Sequence, residues 1–198
     1  MSESVILTWP SERITLRWVW RGIQADIEQT ARYSSAFSIG PLSLLRRVSF
    51  MCTPPILCSG TYRVSHWLYR CGLTLPACCL WWLNLVIHRA DLSCAAEIGP
   101  GLYIPHTSGV IFRGRAGSNL TLLFRSAVVG DRVDAHHERV GRGCPRLGDG
   151  VTVGVFSVIK GEVTIGDGAF VGAASTVRTD LPAEAVVVVG RLLARRSQ

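Results

Sequence analysis

The chain has 198 residues, of which 48% are hydrophobic, so it can bury a substantial core in one domain or two small ones, and this composition excludes a disordered chain. The formal net charge is +7, carried almost wholly by arginine, with Lys160 as the only lysine. There is no dense basic run with interleaved aromatic residues, so we do not expect nucleic-acid binding.

The seven cysteines fit no standard pattern of metal or disulfide spacing. The sequence also lacks an N-terminal signal peptide with a cleavage site. We therefore expect reduced thiols in a cytoplasmic protein, most of them small core residues, and no bound metal. The cysteines stand at positions 52, 58, 71, 78, 79, 94 and 144.

Residues 1–90 are predicted to form a helical region. A first helix is expected over residues 11–32, with Ser11 as its N-cap, and a second over residues 42–51. The prolines of Thr53-Pro54-Pro55 predict a turn, after which a third helix covers residues 56–69. Pro76 is expected to interrupt the chain before a last apolar segment that ends at Ile87.

The segment 73–87 is apolar but only fifteen residues long, and it contains Pro76 and Asn84. It is therefore short for a bilayer crossing, and we predict a buried helix. A peripheral membrane contact stays open as the alternative, with two tryptophans at the surface and three arginines near lipid head groups. The residues concerned are Trp81, Trp82, Arg63, Arg70 and Arg89.

From Leu147 to Val177 an aliphatic residue recurs at every sixth position, and four of these six residues are followed by glycine. The six residues are Leu147, Val153, Ile159, Ile165, Val171 and Val177. A period of six fits neither a helix nor a single strand, and it predicts a solenoid with one short strand per repeat and three repeats per 18-residue coil. A β-sandwich with short strands and regular turns is the alternative.

The repeat predicts a second domain over residues 91–198. Ile98 and Ile104 open the register, Val110 or Ile111 continues it after a one-residue slip, and Leu123 and Val129 are expected in the same frame. Residues 131–146 break the register with a charged, glycine-containing stretch, DRVDAHHERVGRGCPR. We interpret this stretch as a loop inserted into a coil, where solenoids often carry function.

The run DLSCAAEIGPGLYIPHTSG, from Asp91 to Gly109, resembles the serine acetyltransferase branch of the hexapeptide-repeat acyltransferases, and still more their relatives in polysaccharide gene clusters. The Cys144-Pro145 loop end and the hexads extend the resemblance over roughly residues 67–189. It implies an α+β fold, in which an N-terminal α-helical region is followed by a left-handed parallel β-helix, and a homotrimer with active sites between subunits.

The resemblance implies that His106 is the general base and that Asp91 orients it. An imidazole titrates near neutral pH, so it can accept the proton of an attacking hydroxyl and return it to a departing thiolate. A carboxylate on the other ring nitrogen fixes the tautomer. The two residues are fifteen positions apart, nearly one coil, which is compatible with a location on adjacent turns.

Three positions depart from the serine enzymes. Pro105 stands where the family has an aspartate that meets the serine amine, Gly143 replaces an arginine for the serine carboxylate, and Cys144 replaces a second histidine. Charge-assisted contacts contribute about 1.5–3 kcal/mol each, so we expect an acceptor other than free serine. His137, its neighbour His136 and Cys144 remain open as substitutes for the missing histidine.

Acetyl-coenzyme A is implied as the acyl donor. The resemblance puts its pantetheine arm against small residues of the later coils, with Arg178 near its phosphates. These small residues are Gly154, Val155, Gly172, Ala173 and Ser175.

The sequence thus predicts acetyl transfer from acetyl-coenzyme A to a hydroxyl of a sugar or another small acceptor. Two alternatives remain. One is a serine O-acetyltransferase of cysteine biosynthesis, and the other is a non-catalytic trimeric scaffold or membrane-surface protein.

Overall fold

The structure is a computed structural model that describes residues 15–33, 44–131, 143–189 and 191–195, with side chains except for 44–47 and 191–195. Within these ranges, the helices are α1 (Leu16–Tyr33), α2 (Leu44–Met51), α3 (Pro54–Arg70) and α4 (Thr74–His88). Short strands follow: β1 (Asp91–Leu92), β2 (Glu97–Ile98), β3 (Ile111–Phe112), β4 (Arg115–Ala116), β5 (Thr121–Leu122), β6 (Ala127–Val129), β7 (Arg146–Leu147), β8 (Thr152–Val153), β9 (Val158–Lys160), β10 (Thr164–Ile165), β11 (Phe170–Val171), β12 (Thr176–Val177), β13 (Ala185–Val188) and β14 (Arg191–Arg195).

Pro54, Pro55 and Pro76 lie in the first turns of helices. The turn predicted at Thr53-Pro54-Pro55 is present at Cys52 and Thr53 but ends before the prolines, and the predicted interruption at Pro76 is wrong. Thr53 is the N-cap of α3, and the two prolines are its first residues. Pro76 is the third residue of α4. The N–H groups in the first turn of a helix have no intrahelical partner, so proline loses no hydrogen bond there.

The strands form three sheets, which we call sheet A (β1-β3-β6-β9-β12), sheet B (β10-β7-β4-β2) and sheet C (β14-β13-β11-β8-β5). Successive strands along the chain visit the three sheets in turn, so the chain winds in coils. All pairings within the sheets are parallel except that of β13 with β14, which is antiparallel. Parallel winding through three sheets is incompatible with the β-sandwich alternative.

The six-residue period is confirmed as the repeat of the coil. Leu147 pairs with Ile165, Val153 with Val171 and Ile159 with Val177, each at 18 residues. All six side chains are buried, with at most 4% exposed. Three hexads therefore complete one coil, and the aliphatic residue of each hexad contributes to the interior.

The register upstream differs from the prediction. Leu122 and Val128 face the core and are fully buried, whereas Leu123 and Val129 are half-buried, so the predicted frame is one residue late. Tyr103 pairs with Thr121, and Asp91 pairs with Ile111, which is 20 residues on. The turn between Tyr103 and β3 is therefore two residues longer than a regular turn, and the step from Ile111 to Arg115 is two residues shorter, because Glu97 pairs with Arg115 after the usual 18 residues. The predicted one-residue slip at this point is wrong, since the two changes cancel.

A second irregularity lies between β6 and β7. Thr121 pairs with Thr152, 31 residues on, whereas Thr152 pairs with Phe170 after 18. This coil thus carries 13 additional residues, and the predicted loop 131–146 falls in the interval. Most of the loop is outside the described residues.

Helix α3 packs directly on the first coil. Cys58 and Tyr62 belong to the same buried cluster as the inward residues of the coils. The hydroxyl of Tyr62 donates to Ala96 O at 2.7 Å and accepts from Ile98 N at 3.1 Å. Burial raises the pKa of Tyr62, which keeps the phenol protonated as a donor.

A buried ion pair joins the helices to the same coil. Arg63 and Asp26 form two hydrogen bonds of 2.7 Å, and both side chains are fully buried. Asp26 also accepts from the N–H groups of Gly101 and Leu102, and Arg63 donates to Gly99 O at 2.9 Å. The membrane alternative, which placed Arg63 near lipid head groups, is therefore wrong for this residue, because its charge is neutralised inside the protein.

The environment of α4 is partly as predicted. Ala77, Trp81 and Asn84 are buried, but the opposite face exposes several large apolar residues. These include Leu75, Trp82, Val86 and Ile87. Trp81 is only 8% exposed, which agrees with the predicted buried helix and contradicts the surface position that the membrane alternative gave it. Among the described residues, no helix combines the length and apolarity that a membrane crossing requires.

The prediction that most cysteines are core residues is wrong. Cys58 and Cys94 are buried, Cys78 and Cys144 are intermediate, and the other three are exposed.

Candidate functional site

The turns that connect sheet C to sheet A form one edge of the winding, which we call the C–A edge. It consists of residues 104–110, 123–126, 154–157 and 172–175, one turn per coil. Because neighbouring strands of a sheet lie about 4.8 Å apart, turns of successive coils lie one above the other at this spacing. His106 belongs to the first of these turns, and five of the predicted coenzyme-contacting residues belong to the last two.

His106 lies in the longest of the four turns. Eight positions separate Tyr103 from Ile111, whereas six separate Thr121 from Ala127 on the next coil. The side chain of His106 is exposed, and none of the described residues forms a hydrogen bond with it. The longer turn thus presents an imidazole at the surface of the C–A edge, where a substrate can reach it.

Asp91 begins β1, next to the end of the His106 turn. Gly109 N donates to Arg89 O, and Asp91 N donates to Val110 O, both at 2.8 Å. The Asp91 carboxylate accepts 2.9 Å hydrogen bonds from Trp81 Nε1 at Oδ1 and from Arg113 at Oδ2. The predicted pair therefore occupies adjacent segments, but no hydrogen bond joins Asp91 to His106 in this structure.

Trp81 and Arg113 hold the Asp91 carboxylate from two sides, and neither contact was predicted from the sequence. The Arg113 guanidinium also lies 5.7 Å from the centre of the Trp81 ring. Each carboxylate oxygen has a second lone pair, so both oxygens can accept a further hydrogen bond. The carboxylate is thus oriented by α4 and β3 and retains capacity for one more partner.

The glycines predicted to contact coenzyme A are also required by the packing of one coil on the next. A Cβ on Gly154 would lie 2.5 Å from Val171 O, and one on Gly172 would lie 2.9 Å from Val187 O. Backbone of the next coil occupies this space, so glycine is required by the stacking of the coils. Neither glycine is therefore by itself a sign of a ligand.

The surface of the same turns nevertheless fits a narrow chain with amide groups, such as a pantetheine arm. Ala173 and Ala174 are exposed and small, and Val155 is half-buried. The N–H groups of Val155 and Ala173 donate to no acceptor among the described residues. Ser175 is only 1% exposed, so its side chain faces the interior.

Two further candidates lie beyond the strands of sheet A, away from the C–A edge. Arg178 follows β12 and is exposed. Cys144 lies beside Gly130, where an added Cβ would be 3.4 Å from its Sγ. Within one chain, the structure therefore does not bring Arg178 or Cys144 to His106. The candidates His136 and His137 lie outside the described residues.

Sequence reasoning missed a cluster of Phe124, Arg125 and Phe156 on the C–A edge. The Arg125 guanidinium lies 5.1 Å from the Phe124 ring centre and 5.6 Å from that of Phe156. The two rings meet edge to face at 5.6 Å. Phe124 lies 18 residues after His106, so the coil length was the signal that relates them.

In the described part of the chain, no group of three or more His, Cys, Asp or Glu side chains is arranged to hold a metal ion. The chemistry available at the C–A edge is therefore that of an exposed imidazole, a nearby oriented carboxylate and an arginine held between two rings.

Comparisons with known proteins agree with the repeat. The family model of the bacterial transferase hexapeptide (six repeats) matches residues 145–179. The chain is similar to serine acetyltransferase 4 of Arabidopsis thaliana, with 33% identity over 176 residues that cover 84% of this chain and 46% of the relative. It is also similar to serine acetyltransferase of Synechococcus elongatus, with 28% identity covering 73% of this chain and 59% of the relative. The chain thus spans about half the length of these curated relatives.

Solved structures share the fold. Serine acetyltransferase of Neisseria gonorrhoeae superposes with a TM-score of 0.79 at 24% identity, covering 92% of this chain and 67% of that one. Soybean serine acetyltransferase complexed with serine gives a TM-score of 0.74 at 27% identity, covering 88% of this chain and 69% of that one. The match extends over both the helices and the coils.

Proposed function

Because the chain is a serine acetyltransferase-like member of the hexapeptide-repeat acyltransferases, we propose that it transfers an acetyl group from acetyl-coenzyme A to the hydroxyl of a small acceptor. The observation that carries this proposal is the exposed His106 in the lengthened turn, on the same edge as the small residues of the later coils. The base and the acyl donor would then share one groove.

The reaction needs one proton to be moved twice. His106 would take the proton of the acceptor hydroxyl as its oxygen attacks the thioester carbonyl carbon. As the carbon–sulfur bond breaks, the same imidazole would return the proton to the departing thiolate. Asp91 would orient the ring and stabilise it while it is protonated, once the His106 turn brings the imidazole to the free lone pairs of that carboxylate.

L-Serine is the acceptor that the comparisons favour over the sugar predicted from the sequence. The relatives and solved structures reported above are serine acetyltransferases, and the soybean structure contains serine. The departures at Pro105, Gly143 and Cys144 are the specific observation that keeps a different small hydroxyl compound as the second candidate. The comparisons support neither the non-catalytic scaffold nor a membrane contact through residues 73–87.

The finer features of the assembly are also proposals. The shared fold supports a left-handed winding of the coils. Cys144 and Arg178 lie on the side of sheet A opposite to His106, and this separation supports a homotrimer, in which a neighbouring subunit would bring such residues together. In such a trimer, Cys144 and Arg178 of one subunit would face the C–A edge of a neighbour. The pantetheine arm would lie along Gly154, Val155, Gly172 and Ala173.

The test is the rate at which purified protein releases free coenzyme A from acetyl-coenzyme A in the presence of L-serine. We expect His106→Ala to lower this rate by two or more orders of magnitude, the contribution typical of a general base. Ser108→Ala is the matched control, because Ser108 is exposed in the same turn and should leave the rate unchanged. Equal turnover by His106→Ala and wild type would refute the assignment.

The acceptor is settled by comparing L-serine with a panel of sugars at equal concentration. Turnover with L-serine alone would identify a serine O-acetyltransferase. Turnover restricted to a sugar would instead support the second candidate.

A further inference from the structure

Arg125 is a cation held in a fixed position on the C–A edge. Its guanidinium lies over both Phe124 and Phe156, and stacking on two rings limits the conformations of a side chain that is otherwise long and mobile. The stem of Arg125 also packs on the His106 turn, since a Cβ on Gly109 would lie 2.7 Å from Arg125 Cγ. The charge is therefore positioned one coil away from His106.

This charge has no carboxylate partner among the described residues. Arg113 pairs with Asp91, Arg115 with Glu97 and Arg63 with Asp26, but no acidic group within 4.0 Å of Arg125 is found in that part of the chain. Arg125 is exposed, and its guanidinium presents donors in a fixed fork that matches a carboxylate. An arginine that is oriented but not neutralised can bind an anion from solution.

Resting on the proposed acetyl transfer, we infer that Arg125, held by Phe124 and Phe156, binds the carboxylate of the acceptor and so selects hydroxy acids and amino acids over neutral alcohols. This role would compensate for the residues that the serine enzymes use and that this chain lacks at Pro105 and Gly143.

The geometry favours the acceptor over coenzyme A as the source of the anion. The acceptor hydroxyl must come within hydrogen-bond reach of His106. In L-serine, two carbon–carbon bonds separate the carbon that bears the hydroxyl from the carboxylate carbon, and turns of successive coils are about 4.8 Å apart. The phosphates of coenzyme A lie at the far end of the pantetheine arm from the thioester, so they would be distant from the His106 turn.

The test compares L-serine with L-serinamide, in which a neutral amide replaces the carboxylate, using wild type, Arg125→Gln and Arg125→Lys. Wild type should prefer L-serine by roughly ten- to hundredfold in kcat/KM, the factor expected for one charge-assisted contact. Arg125→Gln should lose that preference through a higher KM for L-serine, with the KM for acetyl-coenzyme A within about twofold of wild type. Arg125→Lys should restore part of the preference, because it keeps the charge without the fork.

The control is Arg17→Gln, an exposed arginine on α1, which should change neither KM. A rise in the KM for acetyl-coenzyme A alone would show that Arg125 meets a phosphate and would overturn the inference. Retained discrimination between L-serine and its amide in Arg125→Gln would overturn it as well.

Failure of the proposed function is distinguishable from failure of this inference. If wild type turns over no acceptor, the acetyl transfer is refuted, and calorimetric titration with L-serine and L-serinamide then tests the subsite without catalysis. Tighter binding of L-serine than of the amide by wild type, lost in Arg125→Gln, would support the carboxylate subsite. Equal binding of both compounds by wild type would refute it.

Discussion

The indole Nε1 of Trp81 donates a 2.9 Å hydrogen bond to Asp91 Oδ1 and thereby connects helix α4 to the first strand of the coils. Arg113 donates to the other carboxylate oxygen at the same distance. The residue proposed to orient the catalytic imidazole is thus itself oriented by a side chain from the helical region. The helices therefore contribute to the proposed site through the position of one carboxylate.

Replacing Trp81 by phenylalanine should lower kcat about tenfold. The substitution keeps a ring in the buried space but removes the donor, and a hydrogen bond to a charged group contributes about 1.5–3 kcal/mol. The measurement is the steady-state release of coenzyme A. Trp82→Phe is the control, because Trp82 is 55% exposed and adjacent in sequence. An unchanged kcat in Trp81→Phe would show that this hydrogen bond does not contribute to the reaction.

Asp26→Asn should reduce the free energy of unfolding by about 3–5 kcal/mol, because it leaves the fully buried Arg63 without its counter-charge. Arg115→Gln, which breaks a pair with a 41% exposed arginine side chain, should cost about 1 kcal/mol or less. Both values can be measured by urea unfolding.

The double variant Asp26→Asn/Arg63→Met tests the coupling between these two residues. It should be less destabilised than the sum of the two single variants, since it no longer buries an unpaired charge. Additive losses would argue against a coupled pair.

His66 should make the protein less stable in acid. Its Nδ1 donates to Cys94 O at 2.9 Å, and burial lowers its pKa to about 4. The unfolded chain takes up this proton near pH 6.5, so the contribution is complete above pH 6.5 and is lost as pH falls towards 4. The loss amounts to about 3 kcal/mol, at up to about 1.4 kcal/mol per pH unit.

Urea midpoints of wild type and His66→Gln between pH 4 and 7 measure this effect. Glutamine retains a donor for Cys94 O but does not titrate, so its stability should depend less on pH over this range. Parallel slopes for wild type and His66→Gln would contradict the prediction.

The cysteines should fall into two classes of reactivity with a thiol reagent. Cys52, Cys71 and Cys79 are exposed and should be labelled in the native protein. Cys58 and Cys94 are buried, and burial raises the pKa of Cys58 to about 12, so both should react only after unfolding. Mass spectrometry of labelled peptides distinguishes the classes. Native labelling of Cys58 at the rate of Cys79 would contradict its burial.

The repeat was predictable because each coil imposes the same requirement on its interior. The aliphatic residues from Leu147 to Val177 recur at the same six-residue spacing as the strands, so their spacing was sufficient to predict the coils there. The frame at Leu123 and Val129 was missed, because it was counted back from Leu147 across the inserted loop, whose 13 additional residues are two hexads and one residue more.

Long-range polar contacts could not be predicted in the same way. Asp26 and Arg63 are separated by 37 residues, and Asp91 and Arg113 by 22. The first pair depends on how the helices dock against the first coil, and the second joins neighbouring strands of sheet A across the coil that contains the lengthened His106 turn. The contacts of Trp81 and Arg113 with Asp91 were therefore not expected from the sequence.

The two insertions, in the His106 turn and between β6 and β7, lie on opposite sides of sheet A, whereas the turns from sheet B to sheet C advance by six residues in every described coil, as from Arg115 to Thr121 and from Arg146 to Thr152. Additional residues are thus confined to the turns, and the pairing of the strands is unchanged. A transplant of acceptor specificity from a relative would consequently require the C–A turns that carry His106 and Arg125 together with the 131–146 loop, while the B–C turns and the strands could serve as an unchanged recipient framework.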